Sequence, residues 1–213
     1  MTTAYQSDSP RIVLASSSPS RLSILQSAGV DPIIAPADVD EDALLSGLAH
    51  ADPEQVVVAL AAAKAAAVAP QFPTDVVIGA DSMLLLDGKL QGKPHTVEET
   101  IYRWQAQRGK KATLITGHCL VSPRGEFQAA SATAVHFADV TDADIAAYAA
   151  TGEPLPCAGA FTLEAIGGWF IDRIDGDPSS VIGLSLPVLR QGLYHFGYQV
   201  HEFWNTANAA PVK

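Results

Sequence analysis

Apolar and polar positions along the chain repeat with periods that switch between two and about 3.6, so strand and helix segments follow one another from end to end. After Arg11, the run Ile12-Val13-Leu14-Ala15 predicts a short strand, and SSSPSRLSILQSAG predicts a helix with Ser18 as N-cap, Pro19 at its first position and Gly29 as its stop. Residues 31–35 read as a second strand, leading into the acidic loop Asp38-Val39-Asp40-Glu41-Asp42. Asp52-Pro53-Glu54-Gln55 forms a capping box that starts a helix through VVVALAAAKAAAV. Residues 76–78, all β-branched and bounded by Pro73-Thr74-Asp75 and Gly79, predict a buried strand, with Asp81 arriving where that strand ends. The apolar run resumes at 83–86 and turns at Asp87-Gly88, a strong hairpin signal. Thr96-Val97-Glu98-Glu99 is a second capping box, for a helix ending near 107–109. Two long strands, 112–122 and 127–137, flank the turn Pro123-Arg124-Gly125 as an antiparallel pair, and Thr141 caps a helix that Gly152 closes. The last third predicts a Gly/Pro-rich loop, strand pieces at 160–163 and 169–174, a turn at 175–180 and a final helix after Pro187. With no internal repeat and both element types mixed throughout, the expectation is an α/β domain with a mixed sheet.

Composition narrows the class. A chain of 213 residues with 48% hydrophobic content has enough apolar material for one large domain, or one domain of two lobes. A formal charge of -10 argues against a non-specific nucleic-acid binder, which needs a basic face for phosphates. It leaves room for a small anionic substrate if the few cations converge on one pocket. Cys119 and Cys157 stand alone, with neither CxxC nor Cys/His metal spacing, which fits a reducing cytoplasm. The N-terminus has no basic segment followed by an apolar core, and no apolar run is long enough to span a bilayer, so the reading is a soluble cytoplasmic protein with no membrane partner. A P-loop kinase is disfavoured because GxxxxGK[ST] does not occur.

Several segments carry candidate chemistry, each with a plain alternative. The Ser16-Ser17-Ser18 cluster lies at a strand-to-helix turn, where backbone N–H groups and the helix dipole suit phosphate and where Arg21 adds a cation; ordinary capping accounts for the same residues. The acidic run around Glu41 is either a solvated loop or part of a Mg²⁺ site. Lys64 shares a helical stripe with Val57, Leu60 and Val68, so its ammonium either meets an anion or reaches water at the edge. Asp81 is either a solvated carboxylate or a functional one, and Lys93 lies nearby in the short rigid loop Gly92-Lys93-Pro94.

These segments together resemble the Maf family of nucleoside triphosphate pyrophosphatases, proteins also associated with inhibition of septum formation. The resemblance spans 12–193 and rests on LASSSPSRLSIL, VDE at 39–41, AAAKA around Lys64, GADS at 79–82, GKP at 92–94, Thr116-Gly117, and AGAFTLEAIGGWFIDRIDG followed by VIGL. It implies an elongated two-lobed α/β fold related to the inosine triphosphatases, of the Maf/Ham1 type, with a cleft between the lobes. It also implies a single catalytic domain over 11–205 between polar tails at 1–10 and 206–213, and a homodimer. The implied reaction is hydrolysis of a nucleoside triphosphate to the monophosphate and pyrophosphate with Mg²⁺ or Mn²⁺. By resemblance, Ser16, Ser18, Arg21, Lys64 and Lys93 hold phosphate, Glu41, Asp81 or both hold metal, and Asp81, Lys64 and Lys93 serve the chemistry, with Asp81 as metal ligand and Asp81 as proton acceptor two competing accounts. Ser20 stands where many relatives have the first of two arginines, and Ser82 and Glu164 stand where the dTTP/UTP-hydrolysing branch has Thr and Gln. These departures lean toward the branch acting on 7-methyl-GTP, whose signatures also resemble Pro156-Cys157-Ala158-Gly159 and Gly176-Asp177-Pro178.

Overall fold

The computed structural model describes residues 10–205, so the tails expected at 1–10 and 206–213 lie outside the described residues except for Pro10. Seven strands form one mixed sheet: β1 (Ile12–Leu14), β2 (Ile33–Ile34), β3 (Val76–Leu86), β4 (Lys89–Gln91), β5 (Lys111–Ser122), β6 (Gly125–Phe137) and β7 (Ile171–Asp175). Their order is β2-β1-β3-β5-β6-β7, with β4 also paired to β3. β1 runs parallel to β2 and β3, and every other pairing is antiparallel. The helices are α1 (Pro19–Ser27), α2 (Glu41–Gly47), α3 (Pro53–Val68), α4 (Val97–Gln107), α5 (Asp142–Ala150), α6 (Pro178–Ile182) and α7 (Leu186–His195). This is the mixed α/β architecture expected.

The two largest of four apolar clusters lie on one face of the long strands. β3 sends Val76, Ile78 and Ala80 into one core, with Leu14, Leu25, Leu120 and Leu189, and Leu84 and Leu86 into the other, with Trp104, Leu114, Phe137 and Tyr148. Between them on the same face come Ser82 from β3 and the fully buried Thr116 and His118 from β5, a polar seam across the sheet. α3 covers the opposite face. There an added Cβ at Gly79 would lie 2.1 Å from the Ala61 carbonyl oxygen, and one at Gly117 would lie 2.3 Å from the Val57 carbonyl. The helix backbone therefore rests directly on the sheet at two glycines.

Several local expectations change. Asp81 is not at a strand end: β3 runs unbroken through it for 11 residues. The acidic loop closes into α2, because the Asp40 side chain caps it by accepting from the Ala43 N–H at 2.9 Å. The strand piece at 160–163 is absent; Ala158–Ala160 forms a 3-10 turn with Gly159 at φ 73°. Ile166–Phe170 is a second 3-10 turn, so the following strand starts at Ile171. The turn expected at 175–180 contains α6, capped by Asp177 accepting from the Ser179 N–H at 2.9 Å. At α4 only half of the expected box forms. Thr96 accepts from the Glu99 N–H at 3.1 Å, while the Glu99 carboxylate turns to Arg103 at 2.7 Å. The Asp87-Gly88 hairpin forms as read, with φ of 49° and 78°, the two positive values that a type I′ turn requires.

Candidate active site

The site follows from how strands end beside β3. β5 takes one edge of β3 along residues 77–85. On the other edge β1 reaches only to Ile78, whose carbonyl accepts from the Ala15 N–H at 2.9 Å, and β4 begins only opposite Leu84. Residues 79–83 thus have no strand on that edge among the described residues. The chain leaving β1 brings the Ser16–Arg21 segment to this gap, and the chain leaving β4 brings Lys93.

A cleft of about 640 Å³ opens there, and all ten expected site residues line it: Ser16, Ser18, Ser20 and Arg21 from the β1–α1 turn, Glu41 from α2, Lys64 from α3, Asp81 and Ser82 from β3, Lys93, and Glu164 from the loop before β7. A smaller cavity of about 360 Å³ beside α1 and α7 contains none of them and has Arg190 as its single charged lining residue. The larger one is therefore the candidate site.

Lys64 does not run out to solvent. Its Nζ donates to Asp81 Oδ1 at 2.6 Å and lies 2.9 Å from Glu41 Oε1, and the side chain is only 12% exposed. Val57, Leu60 and Val68, its partners on the helical stripe, are buried as expected. Burial pulls the Glu41 carboxyl pKa upward, but Lys64, with Lys93 and Arg21 behind it, outweighs this and holds it below its ordinary value.

Arg21 is committed within the protein. Its Nε donates to the Gly183 carbonyl at 2.8 Å, Nη1 to Ser16 Oγ at 3.1 Å and Nη2 to Ser82 Oγ at 3.4 Å. It ties the serine turn to β3 and to the end of α6. Ser82 Oγ also meets Thr116 Oγ1 at 2.9 Å, and Ser18 caps α1 by accepting from the Arg21 N–H at 3.4 Å. Lys93, by contrast, forms no hydrogen bond or ion pair among the described residues. Its loop is anchored at the Gly92 carbonyl, which accepts from Arg103 Nη1 at 2.6 Å and from the Gly159 N–H at 3.3 Å.

Glu164 sits at the exposed rim. Its Oε2 accepts from the Leu163 N–H at 3.1 Å, leaving Oε1 without a partner among the described residues. Beside it, Glu153 is a lining carboxylate that sequence reasoning missed. Glu153 accepts from the Thr162 hydroxyl, from Tyr148 Oη at 3.2 Å and from the N–H groups of Ile166 and Gly167 at 3.2 and 3.1 Å. Burial raises its pKa, and these donors more than reverse that and keep it ionised. Two of its donors are backbone N–H groups further along the chain and two are hydroxyls, all brought to it by folding, so the one local signal was a carboxylate between Gly152 and Pro154. Arg103 was missed because its reach to the Gly92 carbonyl depends on folding, although its other partner, Glu99, lies one helical turn away. Cys157 also lines the cleft, but burial, with Glu164 and Glu153, pushes its thiol up to about 11, so it is no thiolate nucleophile.

Glu41 and Asp81 offer two hard oxygen donors from separate elements converging on one point, the kind of donor pair that Mg²⁺ or Mn²⁺ takes together with phosphate oxygens and water. Among the described residues no three His, Cys, Asp or Glu side chains gather to hold a metal unaided. The pair fits an ion shared with a polyphosphate. No helix among the described residues is long and apolar enough to cross a membrane.

Proteins similar to this chain are named nucleoside triphosphate pyrophosphatases. One from Corynebacterium diphtheriae is 71% identical over 91% of this chain and 98% of its own length, one from Corynebacterium efficiens is 64% identical over 91% and 98%, and one from Rhodococcus jostii is 54% identical over 90% and 95%. Among solved structures the Staphylococcus aureus Ham1 protein is similar at TM-score 0.42 and 16% identity, over 61% of this chain and 72% of that one. A sequence model of the Maf-like proteins matches residues 11–196, so the chain belongs to the Maf-like protein family.

Proposed function

We propose that this protein hydrolyses nucleoside triphosphates to the nucleoside monophosphate and pyrophosphate. The observation that carries the reading is the convergence, on one strand-edge gap, of a helix N-terminus with serine hydroxyls, three cations and two carboxylates. The names of its close relatives support the same reaction. Phosphoryl transfer is mostly positioning and charge neutralisation, and this cleft offers both. The serine turn and the start of α1 receive phosphate oxygens, Arg21 holds that turn in place, and Lys93 and Lys64 neutralise charge. Glu41 and Asp81 would hold Mg²⁺ or Mn²⁺, which would supply electrostatic stabilisation and a more acidic attacking water. Water adds to the α-phosphorus, its proton passes to Asp81, and the bond from the α-phosphorus to the bridging oxygen breaks to release pyrophosphate.

The base preference we propose is for guanine-type nucleotides, 7-methyl-GTP among them. An ionised Glu164 only accepts, which matches the two adjacent donors on the guanine Watson–Crick edge, and the ionised Glu153 beside it favours a base that carries positive charge. Family resemblance adds a homodimer, a part in cleaning the nucleotide pool and a part in division arrest.

Pyrophosphate release from a panel of nucleoside triphosphates with Mg²⁺ or Mn²⁺ tests the function. Turnover yielding monophosphate and pyrophosphate is expected. Nucleotide that binds without turnover would instead make the protein a binding module or a non-catalytic regulator.

A further inference from the structure

The position of Lys64 has a consequence for the order in which the site fills, and it rests on the reading that the cleft takes a triphosphate. Asp81 comes from the middle of β3 and Glu41 from the first turn of α2, and the Lys64 ammonium sits between them at 2.6 and 2.9 Å. Asp81 and Lys64 side chains are each only 12% exposed, so this is a partly desolvated pairing and not a loose surface contact. A divalent ion bound by the same two oxygens at about 2.1 Å needs the place that Nζ holds. Both cations cannot occupy it. The Lys64 side chain is only 12% exposed and springs from the stripe of α3 that buries Val57, Leu60 and Val68, so a displaced ammonium stays in the cleft beside the ion that displaced it. Without a new anion it would be a desolvated charge facing a like charge, which is strongly unfavourable. Arg21 and Lys93 add positive potential at Glu41 and give the ammonium no counter-ion. A polyphosphate supplies that counter-ion and also brings oxygen ligands for the metal.

We propose that Lys64 is a built-in stand-in for the metal, so that divalent metal enters this site together with the nucleotide and not ahead of it. Lys64 neutralises Glu41 and Asp81 in the resting protein, keeping two carboxylates from repelling across the gap. It hands them over when a triphosphate arrives, moving to the phosphate oxygens. Binding of metal and of nucleotide are then coupled by one factor that acts equally in both directions.

Mn²⁺ binding followed by electron paramagnetic resonance, on the full chain, tests this without turnover. Three proteins are compared, wild type, Lys64→Met and Lys64→Arg, each alone and with an α,β-methylene nucleoside triphosphate. Wild type should bind Mn²⁺ weakly alone and about tenfold or more tightly with the analogue. Lys64→Met should bind Mn²⁺ about tenfold or more tightly than wild type in the absence of nucleotide, and Lys64→Arg should stay weak. Adding Glu41→Gln to Lys64→Met should abolish the gain. Wild type that binds Mn²⁺ equally well with and without the analogue overturns the proposal, as does a folded Lys64→Met with no gain. If Lys64→Met melts before it can be measured, the wild-type comparison with and without analogue decides. Failure of the wild type to hydrolyse any nucleoside triphosphate would count against the reaction, while the nucleotide-free comparison still judges the lysine.

Discussion

Asp81 reaches the cleft from mid-strand, where β3 holds its backbone on the β5 side and leaves its other edge open, so its carboxylate is positioned by the sheet and not by a loop. Replacing it with Asn keeps the shape but removes the charge that receives a proton or binds metal. Asp81→Asn should still fold, melting somewhat lower because Lys64 keeps only Glu41 as counter-ion, and should lower kcat by about a hundredfold or more; near-normal turnover in a steady-state assay would sink the assignment. Glu164 is argued from inventory. Glu164→Gln presents an amide donor where guanine needs only acceptors, so guanine-type activity should fall and pyrimidine activity rise, a swing of about 1–3 kcal/mol in relative kcat/KM. Ser82→Thr belongs in the same series because the Ser82 hydroxyl bridges Arg21 and Thr116, so an added methyl acts through the Arg21 clamp. Parallel change on 7-methyl-GTP, GTP, UTP and dTTP would mean Glu164 does not read the base. Asp81 stood out in the sequence as a polar group among apolar and Gly-rich neighbours, whereas Ser82 and Glu164 were marked only by the family resemblance. Glu153 and Arg103 were not legible, because each relies in part on backbone groups brought near by folding.

At the scale of elements, the reach of Lys64 to Asp81 depends on how closely α3 lies against the sheet. The apolar stripe made α3 and its buried lysine readable, whereas its seat on Gly79 and Gly117 was not, since it depends on a packing between segments far apart in the chain. A Cβ at position 117 would fall 2.3 Å from the Val57 backbone, which cannot swing aside as a side-chain tip can. Gly117→Ala should therefore push α3 outward, destabilising the protein by about 1–3 kcal/mol and drawing Lys64 off Asp81. Activity at a temperature where the variant is still folded should fall as well. Gly47→Ala, where an added Cβ meets nothing within 4 Å, is the control and should change neither melting nor turnover by much. Equal behaviour of the two variants would show that the close seat of α3 does not matter. The two missed helices, α2 and α6, are short, with 7 and 5 residues, and their sequences carry too few turns for a period to emerge. Only their capping Asp residues, 40 and 177, pointed to them.

Across the whole molecule, the long strands carry two apolar cores, and the polar seam between them is where acid should act first. The mixed α/β class was legible from strands and helices alternating along the chain; the division of single strands between two cores was not, because it depends on which helices land on which half of the sheet. His118 lies in the seam, fully buried, with Nε2 accepting from the Ser185 N–H at 2.8 Å. Protonating Nε2 would set two donors against each other at the cap of α7. Burial, with the Arg21 charge adding to it, lowers the His118 pKa from an ordinary 6.5 to about 4, against smaller opposing contributions from backbone groups and Asp177. The unfolded chain therefore binds this proton more readily than the folded one. The stabilisation from a neutral His118 is fully present above pH 6.5 and is lost as pH falls from 6.5 toward 4, with a ceiling of about 3 kcal/mol. Asp75 and Glu41, whose folded pKa values are lowered, lose their contribution only below the ordinary carboxylate range, so the interval between pH 6.5 and 5 isolates the histidine. His118→Gln keeps an acceptor for the Ser185 N–H but does not titrate. It should melt lower than wild type at pH 7.5, where the native packing is lost, and the gap should narrow as pH is taken to 5. Melting curves that stay a constant distance apart over that interval would remove His118 as the origin of acid sensitivity.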